Sequence, residues 1–396
     1  MIGCTKLLCG TATVAEALGV SALSGKGQAR LLAFKSGGGP LVVWNVTARC
    51  NLRCEHCYLA STEKASKNEL TTGEGRKLIE DLAEAKSPVM LFSGGEPLLR
   101  EDVYELGAYA VEKGLRAVLS TNGTLIDEKR AGALARAGFS YVGVSIDGME
   151  VTHDRFRKKK GAFEAAVNGI KRSLGAGMNA GVRMTVTRDN LGEVDAVFDM
   201  VEREGIPRLC LYHLVYSGRG KELAGRDISK NEERRMMTRV IERVLDWERR
   251  KVPVEVLTVD NHADGVFIRD WVSEHRPERV EEVERLSRMH GGCSAGTKFA
   301  AVDEVGNVHP CQFWGHVTLG NVRERKFAEI WNDRDNEFLM KLKDKSKHLA
   351  GVRCRVCVHR EVCGGCRIRA EATTGDVWGD DPCCYLTDGE VRGDKK

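Results

Sequence analysis

A chain of 396 residues is long enough for two or three domains, and 42% apolar with 30% charged residues is ordinary for a globular protein. The net charge of +4 is small and the basic residues are interspersed with acids, which excludes the basic surface of a nucleic-acid binder. No apolar run reaches the roughly 18 residues of a membrane span. The N-terminus lacks a basic segment followed by a sustained apolar stretch, so secretion is not expected. Fourteen cysteines in such a chain read as metal ligands and free thiols rather than as a disulfide scaffold, and they point to the cytoplasm.

Residues 1–39 form an N-terminal extension that suggests little beyond a short helix. From 40 to 215 the pattern is a repeated strand–helix unit, with apolar runs at 41–47, 89–93, 117–120, 141–146, 181–187 and 208–215. Helical spacing fills the gaps: Leu78, Ile79 and Leu82 after the capping box Thr71–Glu74, then Phe163, Val167, Ile170 and Leu174, then Val194, Val197, Phe198 and Val201. Gly114, Gly138 and Gly205 close helices just before the next strand. Consecutive β-α units predict a parallel sheet with outer helices, whose site collects at the C-terminal ends of the strands. Residues 216–290 read as a charged, helical connector. From 291 to 396, eight cysteines, frequent glycine and few apolar runs describe a small domain held by metal rather than by a core.

The chemistry begins after the first strand. Cys50, Cys54 and Cys57 follow the spacing C-x3-C-x2-C, close enough to hold three irons of a four-iron cluster. With no fourth ligand nearby, one iron stays open, as in a reactive site. A zinc knuckle would need a second Cys pair or a His at a fixed distance. One strand on, Gly94-Gly95-Glu96-Pro97 combines glycines that allow close backbone approach with a carboxylate that can accept from an ammonium group. Asn122, Ser145 and Asp147 are polar at later strand ends, where turn chemistry is the competing account. Arg183, inside an apolar strand, needs a partner.

The cysteine run, with His56 at the usually aromatic position and Tyr58 behind it, resembles the signature of the radical S-adenosylmethionine (SAM) superfamily. The resemblance implies a partial (β/α)6 barrel and a [4Fe-4S] cluster on Cys50, Cys54 and Cys57 whose open iron chelates SAM. It also implies reductive cleavage of SAM to a 5′-deoxyadenosyl radical. His56, Tyr58, Gly94, Gly95, Glu96, Asn122, Ser145, Asp147 and Arg183 become SAM-binding candidates. The C-terminal array resembles the SPASM extension with its auxiliary [4Fe-4S] clusters. It implies an outer cluster on Cys354, Cys357, Cys363 and Cys383 or Cys384, and an inner one on Cys293, Cys311 and Cys366. A second Cys expected shortly after Cys293 is absent, which leaves three alternatives: an inner cluster with an open iron, one that recruits Cys384 or a His such as His290, or no inner cluster at all.

Longer runs, among them Tyr212 to Gly220, Asp260 to Gly265 and Asp381 to Asp388, are similar to the haem-biosynthesis branch. That resemblance implies loss of two acetate side chains from 12,18-didecarboxysirohaem to give Fe-coproporphyrin III. The alternatives are haem d1 chemistry on the propionates and a peptide-modifying enzyme. An iron tetrapyrrole is the expected substrate, and ferredoxin or flavodoxin the expected electron donor. His153, Arg155, Arg157 and Arg219 are candidates for its carboxylates, against a solvated basic loop as the bland account. His213 and His262 could ligate substrate iron or deliver a proton, and structural histidines are the competing account.

Overall fold

Strand β1 (Ile2–Gly3) and strands β2 (Leu41–Asn45), β3 (Val89–Ser93), β4 (Arg116–Thr121), β5 (Tyr141–Ser145), β6 (Asn179–Val186), β7 (Arg208–His213) and β8 (Glu255–Val259) belong to one sheet in the computed structural model. The structure describes residues 1–10 and 38–394. Strands β2 to β8 lie side by side in chain order and all run parallel. Pairing of Asn45 with Ser93 and of Ser145 with Arg183 aligns their C-terminal ends. All six expected strands are present.

The crossovers are helical because their sequences start and stop helices. Thr71 and Glu74 form a reciprocal capping box before Thr72–Glu84, which buries Leu78, Ile79 and Leu82 against the sheet. Gly114, Gly138 and Gly205 take φ of 89°, 81° and 63° at helix ends. Trp44 and Phe92 are fully buried with rings 6.0 Å apart, and Phe139 meets Phe92 at 5.3 Å.

Two differences enlarge the expected barrel. The 216–290 connector carries the helices Lys230–Arg250, Ala263–His275 and Val280–His290, but it also supplies β8, a seventh parallel strand. Its run Glu-Val-Leu-Thr-Val is short and follows a strongly charged helix, so its apolar signal is weak. The cysteine-rich region is not set apart either. Strand β9 (Phe299–Val302) pairs in parallel with β2, and β10 (Asn307–His309) and β11 (Gly320–Asn321) extend the sheet by antiparallel pairing. At the far edge β1 pairs antiparallel with β8 and leads into a short helix, Cys4–Cys9.

Arg369 locks the C-terminal region over the strand ends. Its buried guanidinium donates to the carbonyls of Leu214 (3.2 Å) and Asp260 (2.7 Å), just past β7 and β8, and to Asp381 (2.9 Å). Asp381 also accepts from the backbone N–H groups of Cys366 (2.6 Å) and Cys383 (3.1 Å). One buried ion pair thus aligns two cysteine segments on the barrel mouth.

Candidate active site

The loop after β2 is stitched to the loop after β3. Gly95 donates to the Thr47 carbonyl at 2.8 Å and Glu96 to that of Arg49 at 2.8 Å. Gly94 takes φ 128°, and a Cβ there would lie 2.5 Å from the Thr47 oxygen, while one on Gly95 would strike the Arg49 carbonyl. The glycines are therefore required first by the chain itself, which draws two loops together. A third loop joins them: Arg219 donates Nε to the Cys54 carbonyl (2.8 Å) and Nη1 to that of Ser61 (3.1 Å).

Cys50, Cys54 and Cys57 line a single cavity over these strand ends, together with Gly94, Gly95, Asn122, Ser145 and Arg183. Burial pushes the Cys50 thiol up to about 12 and raises that of Cys54. Such thiols give up their protons to a metal rather than to water. Three sulfurs in one hollow fit a four-iron cluster with one iron left for a ligand. Arg183 donates Nη1 to Ser120 at 2.7 Å, while its Nε is buried without a partner. Gly143 makes room for it, because any Cβ there would collide with the guanidinium. An orphaned donor on a half-buried cation suits a ligand carboxylate.

Other expected SAM contacts have partners within the fold. Glu96 is fully buried and does not line the cavity. Its carboxylate accepts from Thr121 Oγ1 (2.8 Å), from Asn122 N (2.9 Å) and from Leu98 N (3.1 Å). Burial raises its pKa, and these bonds oppose the rise. Asp147 is likewise buried and outside the lining. It accepts from Thr185 N at 2.8 Å, ion-pairs with Arg157 and lies 3.3 Å from His56 Nε2. His56 and Tyr58 do line the cavity, but Tyr58 donates its hydroxyl to Asn45 Oδ1 at 2.9 Å. Asn122 faces the cavity and donates to Asn51 Oδ1 at 2.8 Å.

In the C-terminal region Cys354, Cys357, Cys363 and Cys384 line one small cavity, a complete set of four thiols. Cys383 is not part of it: its sulfur lies 3.3 Å from Asp227 Oδ2 and 3.5 Å from the Tyr216 hydroxyl. Of the two adjacent cysteines, it is Cys384 that lines the cavity with the other three thiols. Cys293 and Cys366 sit with Trp314 and Ile368 in a second apolar cluster, against which Cys311 packs. Burial, then the neighbouring Cys293 and Cys366, push the Cys311 thiol well up. His290 stacks on His262 at 5.7 Å.

The Radical SAM superfamily profile matches residues 44–201, and an iron-sulfur cluster-binding domain, SPASM, matches 293–358. Fe-coproporphyrin III synthase of Methanosarcina barkeri is 47% identical over 394 residues, covering 99% of both chains. This chain belongs to the radical SAM superfamily. More precisely, it falls in the SPASM-bearing haem-biosynthesis branch. Pre-heme d1 synthase of Dinoroseobacter shibae is 39% identical, with 89% of this chain and 87% of that one covered. An AdoMet-dependent heme synthase of M. barkeri is 36% identical, with coverages of 88% and 97%. Among solved structures, Streptococcus suis SuiB bound to S-adenosylmethionine superposes with a TM-score of 0.69 at 16% identity, covering 91% of this chain and 81% of its own, a likeness of fold.

In this radical SAM enzyme the residues expected to grip substrate carboxylates are largely turned to other tasks. Arg157 is buried, paired with Asp147, and donates Nη1 to Cys54 Sγ at 3.3 Å, so it is engaged with an expected cluster ligand. His153 accepts at Nδ1 from Asp147 N (3.0 Å), and burial followed by Arg157 lowers it to about 3, leaving it neutral. Arg155 does not line the cavity and lies over Phe156. Arg219 does line it and retains a buried Nη2 without a partner.

His213 also lines the cavity, but both ring nitrogens are taken, by Glu233 at 2.7 Å and Asp264 at 2.8 Å. Burial opposes protonation, yet the two carboxylates outweigh it and raise the imidazole to about 10. Both ring nitrogens are thus engaged by carboxylates, and His213, Glu233 and Asp264 bring three ligand-type atoms within 4.8 Å of one another. His262 lies outside the cavity, and burial pushes its pKa well down. Sequence reasoning missed the lining residues Gln312, Phe313 and Asp260. The run Cys-Gln-Phe-Trp beside Cys311 was a signal for the first two. Phe313 packs edge-on to Tyr58 at 5.2 Å, where the C-terminal region meets the cluster loop.

Proposed function

We propose that this enzyme removes two acetate side chains from 12,18-didecarboxysirohaem to give Fe-coproporphyrin III. The full-length similarity to the M. barkeri Fe-coproporphyrin III synthase carries the reading. The shape of the mouth supports it. A second hollow shares Tyr58, Gln312 and Phe313 with the cysteine cavity and is walled by Tyr216 and Ile368, with Lys221 and His316 among its lining. Aromatic walls with few cations suit a flat macrocycle bearing carboxylates.

When bound, the cluster and SAM supply the radical that takes hydrogen from a substrate side chain. The chain's own residues prepare that step. Arg183 Nε and Arg219 Nη2 offer donors to carboxylates inside the cavity. Tyr58 and Phe313 form an apolar wall between the two hollows and keep water from the radical. The imidazolium of His213 offsets Glu233 and Asp264 near the cavity without itself moving a proton. Ferredoxin or flavodoxin would supply electrons, and the cytoplasm is the setting we infer.

The test is anaerobic turnover of reconstituted enzyme with reductant, SAM and 12,18-didecarboxysirohaem, following tetrapyrrole mass and 5′-deoxyadenosine. Loss of two acetates with matching deoxyadenosine is expected. Loss of propionates would instead favour the reading suggested by the pre-heme d1 synthase relative.

A further inference from the structure

The hollow walled by Tyr58, Tyr216 and Ile368 carries one histidine among the described residues, His316. Its ring Nε2 lies 3.2 Å and 3.1 Å from the two carboxylate oxygens of Glu371. Glu371 is held in turn by Trp314, whose Nε1 donates to it at 2.6 Å. Trp314 is fully buried, so the carboxylate has a fixed anchor although the His316 side chain is 54% exposed. Glu371, Ile368 and Ala372 stand on the helix Arg367–Thr374 and all face the hollow, as three- and four-residue spacing dictates. A carboxylate beside Nε2 keeps the ring proton there and leaves the lone pair of Nδ1 free. Nδ1 has no hydrogen-bond partner among the described residues. The hydroxyls that share the hollow are engaged elsewhere: Tyr58 donates to Asn45 at 2.9 Å and Tyr216 to Asp227 at 2.8 Å. An exposed histidine–glutamate pair is by itself an ordinary surface contact. What sets this one apart is the buried indole bonded to the same carboxylate and the free nitrogen on an aromatic hollow.

We propose that His316 Nδ1 is the axial ligand of the substrate's iron, with Glu371 positioning the ring. This rests on the reading that an iron tetrapyrrole occupies the hollow. A histidine that binds a metal donates its other ring N–H to a carboxylate or carbonyl, which fixes the ring and makes the binding nitrogen a better donor. Glu371 supplies that carboxylate, and its bond to Trp314 keeps it in place. The new bond forms from the Nδ1 lone pair to iron as a water leaves the metal. Nδ1 carries no proton in this tautomer, so neither a proton nor an electron changes hands. One fixed point at the iron sets the macrocycle against Tyr58 and Phe313, which this hollow shares with the cysteine cavity, and turns the substituents on that side toward the radical. The histidines singled out in the sequence lack these features. His213 has both ring nitrogens on carboxylates, and His262 lines neither hollow.

The experiment is anaerobic titration of holoenzyme with ferric Fe-coproporphyrin III, the proposed product, and in parallel with iron-free coproporphyrin III. Binding is followed by Soret absorbance, and the iron by electron paramagnetic resonance. Wild type is compared with His316→Ala and Glu371→Gln. His316 is exposed, and Gln keeps an oxygen for the Trp314 indole, so both variants should fold. Wild type is expected to show the resonance of an imidazole-ligated ferric porphyrin. His316→Ala is expected to lose that resonance and to bind the iron porphyrin roughly tenfold more weakly, while binding the iron-free ring as wild type does. Glu371→Gln is expected to keep the resonance but to raise the potential of the bound iron couple, because a less basic ring stabilises ferric iron less. An unchanged resonance in His316→Ala would overturn the ligand assignment. So would equal weakening toward both porphyrins, since His316 would then touch the ring and not the iron. An unchanged potential in Glu371→Gln would overturn the role given to the carboxylate. Wild type that binds neither porphyrin would overturn the tetrapyrrole reading itself.

Discussion

Replacing Arg157 by Gln tests whether a buried cation tunes the SAM-binding cluster. Its Nη1 lies 3.3 Å from Cys54 Sγ and its Nη2 pairs with Asp147. A full unit charge at 3.3 Å from another interacts by about 5 kcal/mol at an effective dielectric constant of 20. An electron added to a cluster is spread over its irons and sulfurs, so roughly a quarter to a half of that, about 1–2.5 kcal/mol, reaches the redox couple. For one electron this is on the order of 50–100 mV. Removing the cation makes reduction harder, so the potential falls by that amount. The assay is an anaerobic redox titration followed by electron paramagnetic resonance, with the SAM-binding cluster recognised by the change in its signal when SAM is added. Arg157→Lys should recover part of the potential, and an Asp147→Asn/Arg157→Gln double variant should be more stable than Arg157→Gln alone. The second expectation follows because burial would raise the Asp147 carboxyl but the Arg157 guanidinium holds it below its ordinary range, leaving a stranded buried charge once Arg157 is gone. A fully loaded Arg157→Gln cluster with an unchanged potential would refute the reasoning.

Other predictions concern the cysteines, Glu96 and pH. Cys384→Ser should lose about four irons per chain by metal analysis, whereas Cys383→Ser should keep wild-type iron; the reverse result would reassign the ligand. Glu96→Gln puts an amide donor where Thr121, Asn122 and Leu98 all donate, so it should lower thermal stability by about 1–3 kcal/mol and weaken SAM binding in a calorimeter by displacing Asn122. His213 is raised from 6.5 to about 10 in the fold. Its stabilising contribution is fully present below pH 6.5 and is lost as pH rises to 10. The melting temperature should therefore decline across that window, and His213→Gln should flatten the decline while being less stable below it.

The elements written in local patterns were legible in the sequence. Cys50, Cys54 and Cys57 declare themselves by spacing, and the six strands of the 40–215 region stand out as apolar runs between capped helices. Strand β8 escaped because five residues following a charged helix carry little periodicity, and only its pairing with β7 makes it a strand. Side-chain roles were harder, since they depend on partners distant in the chain. Arg157 looks like part of a basic loop until the fold brings it to Cys54, 103 positions away. Glu96 reads in the sequence as an acceptor for an ammonium group, and only the fold shows that Thr121 and Asn122 donate to it from the next strand. Telling Cys384 from its neighbour needed the Asp381 carboxylate, which accepts from the Cys383 N–H and orients the pair.

The pairing of β9 with β2 has a consequence for synthesis. Strand β2 leaves the ribosome early, yet the neighbour on its outer side lies about 250 residues downstream. Until residues 299–302 are made, β2 is an apolar edge with unpaired backbone groups, the kind of edge on which chains aggregate. The barrel therefore cannot mature from its N-terminus alone. The same C-terminal region that carries the outer thiols also closes this edge. Expression with iron withheld should thus leave the barrel at risk as well as the cysteine-rich region, and truncation before residue 299 should yield aggregate rather than a smaller soluble barrel.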